Sequence, residues 1–513
     1  MARFYIENFG CRATQADGAA LERQFLERGL ERAGAARDAE IVVLNTCTVT
    51  EGADKDARAS IRRLQRVNPE CRILVTGCYA QRAPEELAAL PGVTWVVGNS
   101  HKHQAAEIAT SSFPDVSSSG SCSAGSGFVP LGQLSKDQLS ADHAGNVVVG
   151  DIFAHTELLA APVFEAASER TRPNLKVQDG CDNRCSFCVI PYVRGQSRSL
   201  PSERVIAEVR TLVEAGYREV VISGINLGRW GRDLEESSQL SAVSSQLRPT
   251  NNSRRLESLI RAILDETSLS KLRISSVEPM DWSDALIGLV ASSSRIAKHA
   301  HVPMQSGSDA VLRRMHRKYR PWHYQEKILK IRAAMPTAAI GADVMVGFPG
   351  ETEAEFDETR RTIEELPFTY LHVFTYSARP RTPAAMQPGQ VPAAVARERN
   401  RMLREIASRK KTAFMRSLIG TVVEAITLQS VGEDLTEALT DNFLKLKVPG
   451  HHEANRWVDV KVEGVNGEML VGRPVADPDG ERGLSRRFAG GEPGVSARPS
   501  PSDSGVHGSQ QAH

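Results

Sequence analysis

Short apolar runs alternate with amphipathic stretches through the first part of the chain. Residues 4–6, 41–46 and 73–77 are rich in β-branched side chains and lack polar alternation, which is typical of strands buried on both faces of a parallel sheet. Residues 18–32 and 53–67, between these runs, have helical spacing, and Pro69 follows the second as a stop signal. This βαβ order predicts an α/β fold whose N-terminal domain has a Rossmann-like parallel sheet.

Strand and helix patterns alternate again further along the chain. We expect strands at 171–178, 219–223, 272–276, 299–304, 340–347 and 371–376, and helices at 202–215, 256–264, 291–297 and 324–334. These β/α units predict a central, partial TIM-type (β/α)6 barrel, with its chemistry at the carboxyl ends of the strands.

The pattern changes to short strands near the C-terminus. Runs at 421–428, 435–439, 443–448, 457–462 and 469–472 are separated by turns rich in Gly and Asn, which predicts a small five-stranded β-barrel. A helix with one cationic face precedes them, and its basic residues are Arg397, Arg399, Arg401, Arg404, Arg409, Lys410, Lys411 and Arg416. Such a face is either simply solvated or turned towards the phosphates of a nucleic acid, and composition leaves both interpretations open.

Composition divides the chain at segments that cannot build a core. Residues 111–170 contain a Ser/Gly-rich linker, residues 235–254 are a polar insertion, and residues 476–513 are predicted to be a disordered tail. The expected domains are therefore 1–110 (α/β), 171–416 (barrel core) and 417–475 (small β-barrel). The net charge is only +1, so nucleic-acid binding would need local basic patches. No apolar stretch reaches the roughly 18 residues of a membrane span, and eight cysteines without a small secreted framework indicate a reducing compartment, so we expect a cytoplasmic protein with no membrane partner.

Three of the eight cysteines stand in one short loop. Cys181, Cys185 and Cys188 have the spacing C-x3-C-x2-C directly after a predicted strand. Three thiolates leave a tetrahedral zinc site incomplete, but they suit three irons of a 4Fe–4S cluster and leave the fourth iron open. Zinc, or three unrelated buried thiols, is the alternative interpretation.

Three more cysteines follow the apolar runs of the N-terminal domain. Cys11, Cys47 and Cys78 each come after one predicted strand, and ligands of parallel sheets gather at the carboxyl ends of the strands. These thiolates could therefore hold a second cluster, and buried structural cysteines are the alternative. Cys71 precedes its strand and is expected to be a packing or surface thiol, whereas Cys122 lies in the Ser/Gly-rich segment and receives no role.

Taken together, these motifs resemble a known family. The C-x3-C-x2-C loop resembles the signature of radical S-adenosylmethionine (SAM) enzymes, and the order of domains resembles the methylthiotransferases over residues 1–110 and 170–475. The strings that carry this resemblance are 45–50 (NTCTVT), 75–81 (VTGCYAQ), 188–195 (CVIPYVRG) and 301–308 (HVPMQSGS). The resemblance implies two 4Fe–4S clusters. In that family, the cluster on the barrel cysteines cleaves SAM to a radical, and the cluster on the N-terminal cysteines carries or supplies sulfur.

Within this family the chain is most similar to members that modify N6-threonylcarbamoyladenosine in tRNA. Strings 195–199 (GQSRS), 275–279 (SSVEP) and 96–99 (VVGN) with Lys102 carry that similarity. It implies that a methylthio group is added to carbon 2 of the adenine beside the anticodon. The alternatives are a family member acting on N6-isopentenyladenosine or on a ribosomal-protein aspartate, another radical SAM reaction on a protein side chain, and a non-catalytic iron–sulfur protein that binds RNA.

The resemblance also implies SAM contacts and partners. Gly224, Asn226, Ser276, Glu278 and Gln305 stand at barrel strand ends where SAM would bind, and ordinary barrel-loop architecture explains them equally well. No catalytic residue is assigned beyond the cluster cysteines. The terminal barrel is similar to the RNA-binding TRAM domain, so we expect a tRNA substrate, together with an electron donor and a sulfur source of unknown identity.

Overall fold

The computed structural model describes residues 2–111, 146–155, 158, 172–234, 255–430 and 434–475. Cys122, the predicted insertion at 235–254 and the predicted tail at 476–513 lie outside these residues, as does most of the predicted linker.

The N-terminal domain is built on one parallel sheet with strand order β2-β1-β3-β4-β5-β6. Its strands are β1 (Arg3–Asn8), β2 (Glu31–Arg32), β3 (Ile41–Thr46), β4 (Arg72–Gly77), β5 (Val93–Gly98) and β6 (Val147–Val148). Its helices are α1 (Arg12–Glu27), α2 (Glu51–Val67), α3 (Cys78–Arg82), α4 (Pro84–Ala88) and α5 (Ala105–Thr110). Every residue of β3 is buried, as the unbroken apolar run predicts.

Two details of this domain differ from the sequence prediction. The helix expected at 18–32 begins at Arg12 and ends at Glu27, because Gly29 has a positive φ of 77° and turns the chain into β2. Strand β6 lies inside the predicted linker and pairs with β5, so part of residues 111–170 returns to the N-terminal sheet. The division of the chain at residues 110 and 171 stays a prediction.

The central domain is the expected partial barrel. Its strands are β7 (Asn174–Asp179), β8 (Arg198–Ser199), β9 (Glu219–Gly224), β10 (Lys271–Ile274), β11 (His299–His301), β12 (Ala339–Val346) and β13 (Tyr370–Thr375). They form the sheets β10-β9-β7-β8 and β11-β12-β13, which the parallel bridges Leu272–Ile296 and Ser276–His301 join. Among the described strands β7 and β13 do not pair with each other, so the barrel is open on that side.

Helices connect the strands of this barrel. They are α6 (Ile190–Arg194), α7 (Ser202–Glu214), α8 (Leu256–Glu266), α9 (Asp284–Ser292), α10 (Asp309–Arg314), α11 (Pro321–Ala334) and α12 (Glu353–Glu365). The prediction of a helix at 291–297 is wrong. Ser283 caps α9 by accepting a hydrogen bond from Leu286 N, so this helix begins at Asp284 and ends at Ser292, before Ile296 pairs with Leu272.

The C-terminal part confirms the predicted small barrel. Helix α13 (Ala393–Ser417) leads to a closed barrel of β14 (Val422–Ser430), β15 (Leu435–Thr440), β16 (Lys445–Pro449), β17 (Trp457–Asn466) and β18 (Met469–Pro474). This barrel contacts the amino-terminal ends of the central strands: Lys271 Nζ lies 2.7 Å from a carboxylate oxygen of Glu424, and Arg273 donates to the Asp441 carbonyl at 2.9 Å.

The N-terminal domain lies across the open side of the central barrel. At one edge, Asn174 Nδ2 in β7 donates to the Arg12 carbonyl at 3.1 Å. At the other edge, Arg379 beyond β13 pairs with Asp54 and donates to Thr48 Oγ1 at 2.8 Å. The carboxyl edge of the N-terminal sheet therefore faces the lumen of the barrel. None of the helices in the described part of the chain has the length and apolar character needed to cross a membrane.

Candidate functional site

The structure brings the three dispersed cysteines of the N-terminal domain together. Cys11 precedes α1, Cys47 follows β3, and Cys78 begins α3 directly after β4. A hydrogen bond from Cys47 lowers the pKa of Cys11, and the same bond together with burial raises the pKa of Cys47. The charge of Cys78 also acts on Cys47, so all three sulfurs share one edge of the sheet.

A glycine makes this close approach possible. Gly10 has a positive φ of 91°, and a Cβ added there would lie 2.8 Å from Cys47 Sγ. Any other residue before Cys11 would therefore be strained and would press against the second thiol. The Phe9-Gly10-Cys11 turn fits a sheet edge on which thiols must converge.

The second cysteine set lies in the loop after β7. Asn226 Nδ2 is 3.7 Å from Cys181 Sγ, and an Arg317 guanidinium nitrogen is 3.3 Å from Cys185 Sγ. Burial raises the pKa of Cys181, and burial with the neighbouring Cys185 raises the pKa of Cys188 to about 12. Thiolates are therefore costly here without a cation, and iron that binds must displace the thiol protons. A three-thiol donor set on one loop fits a 4Fe–4S cluster with one open iron.

Unpartnered oxygen atoms mark the strand ends next to this loop. Asn226 Oδ1 and Gln305 Oε1, both from residues expected to contact SAM, are buried without a hydrogen-bond partner among the described residues. The hydroxyls of Ser223 and Ser275, which were not among the five residues expected to contact SAM, are also buried without a hydrogen-bond partner among the described residues. Buried polar atoms are rarely left unpaired in folded proteins, so these oxygens fit a polar ligand such as SAM.

The other expected SAM residues occupy the same strand ends in different ways. Glu278 pairs with Arg317, which also contacts Cys185 and so ties this carboxylate to the cysteine loop. Gly224 ends β9, where an added Cβ would lie 2.8 Å from the Gln178 side chain. Ser276 forms a bridge with His301 between the two sheets. All five residues expected to contact SAM therefore lie at or just beyond the carboxyl ends of barrel strands, and Asn226 and Glu278 are connected to the cysteine loop.

The two cysteine sets face each other through α6. This helix begins shortly after Cys188, and its residue Val193 packs with Val189 against Cys78. Asn99 connects the same elements, because its Nδ2 lies 2.7 Å from the Val193 carbonyl and 3.5 Å from Cys78 Sγ. Clusters held by the two sets would therefore be neighbours.

A buried network of charges joins the N-terminal domain to the barrel beside these cysteines. Its five members are the cations Lys102, Lys176 and Arg194 and the carboxylates of Asp17 and Asp179. Asp17 Oδ2 lies 3.0 Å from Lys102 Nζ and 2.9 Å from an Arg194 nitrogen, and Asp17 also pairs with Lys176. Three cations and two carboxylates leave one positive charge in excess next to the thiol sites.

A polar cluster that the sequence did not reveal lines the lumen. Tyr370 Oη lies 2.7 Å from His299 Nε2 and 3.0 Å from His301 Nδ1, and His301 Nε2 lies 3.1 Å from Asp343. The ligand atoms of His301, Asp343 and His372 lie within 4.8 Å of one another. These residues come from neighbouring strands β11, β12 and β13, so only the barrel register brings them together.

Arg12 reaches the same region from the N-terminal domain. Its side chain is exposed, yet burial lowers its pKa, as expected for a cation that lines an opening within the molecule. Its Cζ lies 6.0 Å from the centroid of the Phe443 ring in the small barrel. Sequence reasoning missed Arg12, although its place next to Cys11 was a signal.

Helix α13 is less uniformly cationic than the sequence suggests. Arg399 is buried against Glu351, Arg401 pairs with Glu398 and Glu405, and Lys411 pairs with Glu468. Lys410 donates to two backbone carbonyls. The exposed basic side chains of α13 that form no hydrogen bond or ion pair within the described residues are those of Arg397, Arg404, Arg409 and Arg416.

Comparison with known proteins adds to this geometry. Residues 3–98 match the family described as uncharacterized protein family UPF0004, and residues 175–363 match the radical SAM superfamily. The threonylcarbamoyladenosine tRNA methylthiotransferase MtaB of Bacillus subtilis (strain 168) is 34% identical over 467 residues, which cover 90% of this chain and 94% of that protein. This chain belongs to the radical SAM methylthiotransferase family. Its similarity is to the MtaB type, which confirms the predicted family and enzyme class.

Other relatives agree on the family and differ in their substrates. MtaB of Aquifex aeolicus (strain VF5) is 32% identical, and the aligned residues cover 89% of this methylthiotransferase and 99% of that protein. The tRNA-2-methylthio-N(6)-dimethylallyladenosine synthase of Novosphingobium aromaticivorans is also 32% identical, covering 82% and 86%. Among solved structures, the radical SAM methyltransferase TsrM of Kitasatospora setae has a TM-score of 0.48 at 15% identity over 75% of this chain and 74% of that one, which is too distant to add to the argument.

Proposed function

We propose that this methylthiotransferase adds a methylthio group to carbon 2 of the adenine in N6-threonylcarbamoyladenosine, beside the anticodon of tRNA. One observation carries the reaction class: two sets of three free cysteines face each other across α6 at the lumen of an open barrel. The substrate is supported by relatives whose names specify threonylcarbamoyladenosine and which match this chain over about nine-tenths of its length.

The barrel cysteines form the first half of the proposed site. Cys181, Cys185 and Cys188 hold one 4Fe–4S cluster, and Arg317 and Asn226 contact two of their sulfurs. Gly224, Asn226, Ser276, Glu278 and Gln305 hold SAM, for which Asn226 Oδ1 and Gln305 Oε1 are free acceptors. With cluster and SAM bound, this half supplies the radical chemistry that breaking an aromatic C–H bond requires.

The N-terminal cysteines form the second half. Cys11, Cys47 and Cys78 hold a second 4Fe–4S cluster that presents sulfur to the substrate. Arg194 lies close enough to act on both Cys11 and Cys78, and together with Lys102 it offsets the negative charge of thiolates. An electron donor, a sulfur source and a second molecule of SAM, which provides the methyl group, complete the reaction.

The tRNA is bound mainly through its phosphates. The unpaired arginines of α13 and the small barrel that follows it provide the cationic surface, and phosphate contacts position an RNA without reading its sequence. In this proposal the domain at 1–110 holds the sulfur site, the domain at 171–416 holds the radical site, and the domain at 417–475 binds the tRNA. We infer from the proposed tRNA substrate that the enzyme works in the cytoplasm.

Nucleoside mass spectrometry of tRNA tests the substrate. The methylthio form of N6-threonylcarbamoyladenosine should disappear from a strain that lacks the gene, and it should return when the wild-type gene is restored. A gene with Cys181, Cys185 and Cys188 replaced by Ala is the matched control and should not restore it. Loss of only the methylthio form of N6-isopentenyladenosine, or of a modified ribosomal-protein aspartate, would contradict the proposed substrate and leave the reaction class standing.

A further inference from the structure

The guanidinium of Arg12 forms no hydrogen bond or ion pair with any residue that the structure describes. Its own backbone is fixed, because Asn174 Nδ2 donates to the Arg12 carbonyl at 3.1 Å and the residue stands at the start of α1. Its charge lies over the Phe443 ring, with Cζ 6.0 Å from the ring centroid. An arginine held in this way and left without an anion is available to a ligand.

The carboxylates near Arg12 are already committed to other groups. Glu219 pairs with Arg273 at 2.6 Å, and Asp343 pairs with His301 at 3.1 Å. Of the other polar groups near Arg12, His299, Tyr370 and His372 carry no negative charge at neutral pH, and Arg172 and Arg273 are cations. Arg12 therefore has no ion-pair partner of its own among the described residues of this polar part of the lumen.

The position of Arg12 relative to the sulfur site suggests which anionic group it binds. Arg12 is the neighbour of Cys11, one of the thiols that hold the proposed sulfur-bearing cluster. In adenine, carbon 2 and the carbon that bears N6 flank the same ring nitrogen. A base that offers carbon 2 to the sulfur site must therefore hold its N6 substituent close by.

We propose that Arg12 binds the carboxylate of the threonylcarbamoyl group and so selects this substrate over adenosines with an uncharged N6 substituent. This inference rests on the proposed function. The planar guanidinium can form two parallel hydrogen bonds to a carboxylate, a geometry that Lys cannot reproduce. The guanidinium lies over the face of the Phe443 ring, with Cζ 6.0 Å from the ring centroid. A phosphate of the RNA backbone is the competing anion, and the experiment separates the two.

The test compares three anticodon stem-loop RNAs with wild-type and variant protein, both carrying their clusters. One RNA carries N6-threonylcarbamoyladenosine, the second carries the same group with its carboxylate converted to a primary amide, and the third carries N6-isopentenyladenosine. Arg12→Gln should raise the KM and the dissociation constant for the first RNA by about 10- to 100-fold, which is typical for loss of a charged hydrogen-bonding pair. For the amide and isopentenyl RNAs, the ratio of variant to wild type should be close to one.

Two further variants keep the result interpretable. Arg12→Lys should recover part of the affinity for the RNA that carries N6-threonylcarbamoyladenosine. If Arg12→Gln loses iron or has a lower melting temperature, Arg12→Lys is compared with wild type in its place. Arg23→Gln is the matched control, because Arg23 lies on the same helix, is exposed and pairs with Glu27. It should leave all three dissociation constants unchanged.

The outcomes are distinct. Equal weakening of all three RNAs by Arg12→Gln would assign Arg12 to a phosphate and overturn the proposal, and no weakening of any would overturn it as well. If wild-type protein methylthiolates only the isopentenyl RNA, the proposed function fails and the proposal fails with it. If wild type converts the threonylcarbamoyl RNA and Arg12→Gln does so with the same KM, only the proposal about Arg12 is wrong.

Discussion

Replacing Asp17 with Asn tests how the N-terminal domain is held against the barrel. Asp17 is the one group in the buried network that pairs with all three cations, Lys102, Lys176 and Arg194. Burial opposes its ionisation, but Arg194, Lys102 and Lys176 outweigh burial and lower its pKa well below the usual range. Asn keeps the shape of the side chain and removes the charge, so the excess positive charge of the network rises from one to two.

The size of the effect follows from what remains buried. Removing one partner of a buried ion pair typically costs about 3–5 kcal/mol, because the other charge stays desolvated. For domains of this size such a loss lowers the melting temperature by about 6 °C or more. The matched control is Asp56→Asn on α2, an exposed position where substitutions usually cost less than about 0.5 kcal/mol.

The assay is calorimetric melting of both variants and wild type across a pH series. Because folding lowers the pKa of Asp17, its contribution is complete above the unfolded value of about 4 and is lost as the pH falls below it. The difference between wild type and Asp17→Asn should therefore be constant from pH 8 to pH 6 and should shrink in acid. A change of about 1 °C or less at pH 7 would refute the claim that this network holds the two domains together.

Three further predictions concern the clusters and the tRNA. Anaerobic reconstitution should give about eight iron atoms per chain by iron and sulfide counting, and replacing Cys181, Cys185 and Cys188 with Ala should halve that number; a triple variant that keeps all its iron would contradict the assignment. Gly10→Ala should lose the iron of the N-terminal site, because the added Cβ would lie 2.8 Å from Cys47 Sγ. Gly29→Ala is the control and should keep this iron, because Gly29 also has a positive φ but an added Cβ would meet nothing within 4 Å. Equal iron contents of the two variants would contradict the argument from close approach. The double variant Arg404→Gln/Arg409→Gln should reduce the slope of log tRNA affinity against log salt concentration by about one or more. Arg401→Gln is the control, because Arg401 already pairs with Glu398 and Glu405. An unchanged slope in the double variant would show that α13 is not part of the tRNA-binding surface.

The sequence predicted the parts of the site that depend on local pattern. Buried β-branched runs followed by a cysteine place Cys47 and Cys78 at strand ends, and parallel pairing of β3 with β4 then brings those ends together. The loop spacing of Cys181, Cys185 and Cys188 needs no tertiary information at all. For the same reason, the five strands of the small barrel were predicted from short, partly alternating runs and the Gly- and Asn-rich turns between them.

The rest depends on contacts between segments far apart in the chain. Asp17 looks like an ordinary polar residue of α1, and its role appears only when Lys176 and Arg194, 159 and 177 residues away, reach it. The cluster of His301, Asp343 and Tyr370 depends on the register of three strands, which sequence does not fix. The cationic face of α13 was overestimated because Glu351 and Glu468, outside the helix, pair with two of its basic residues.

The central claim is tested most directly by the reaction itself. Purified protein, reconstituted under anaerobic conditions, is mixed with SAM, dithionite and tRNA that contains N6-threonylcarbamoyladenosine. The tRNA is then digested and its nucleosides are identified by mass spectrometry. We predict one product in which a methylthio group replaces the hydrogen on carbon 2, together with 5′-deoxyadenosine, and neither when SAM or dithionite is left out. Protein that carries both clusters and cleaves SAM, but leaves this nucleoside unchanged while converting N6-isopentenyladenosine, would contradict the account.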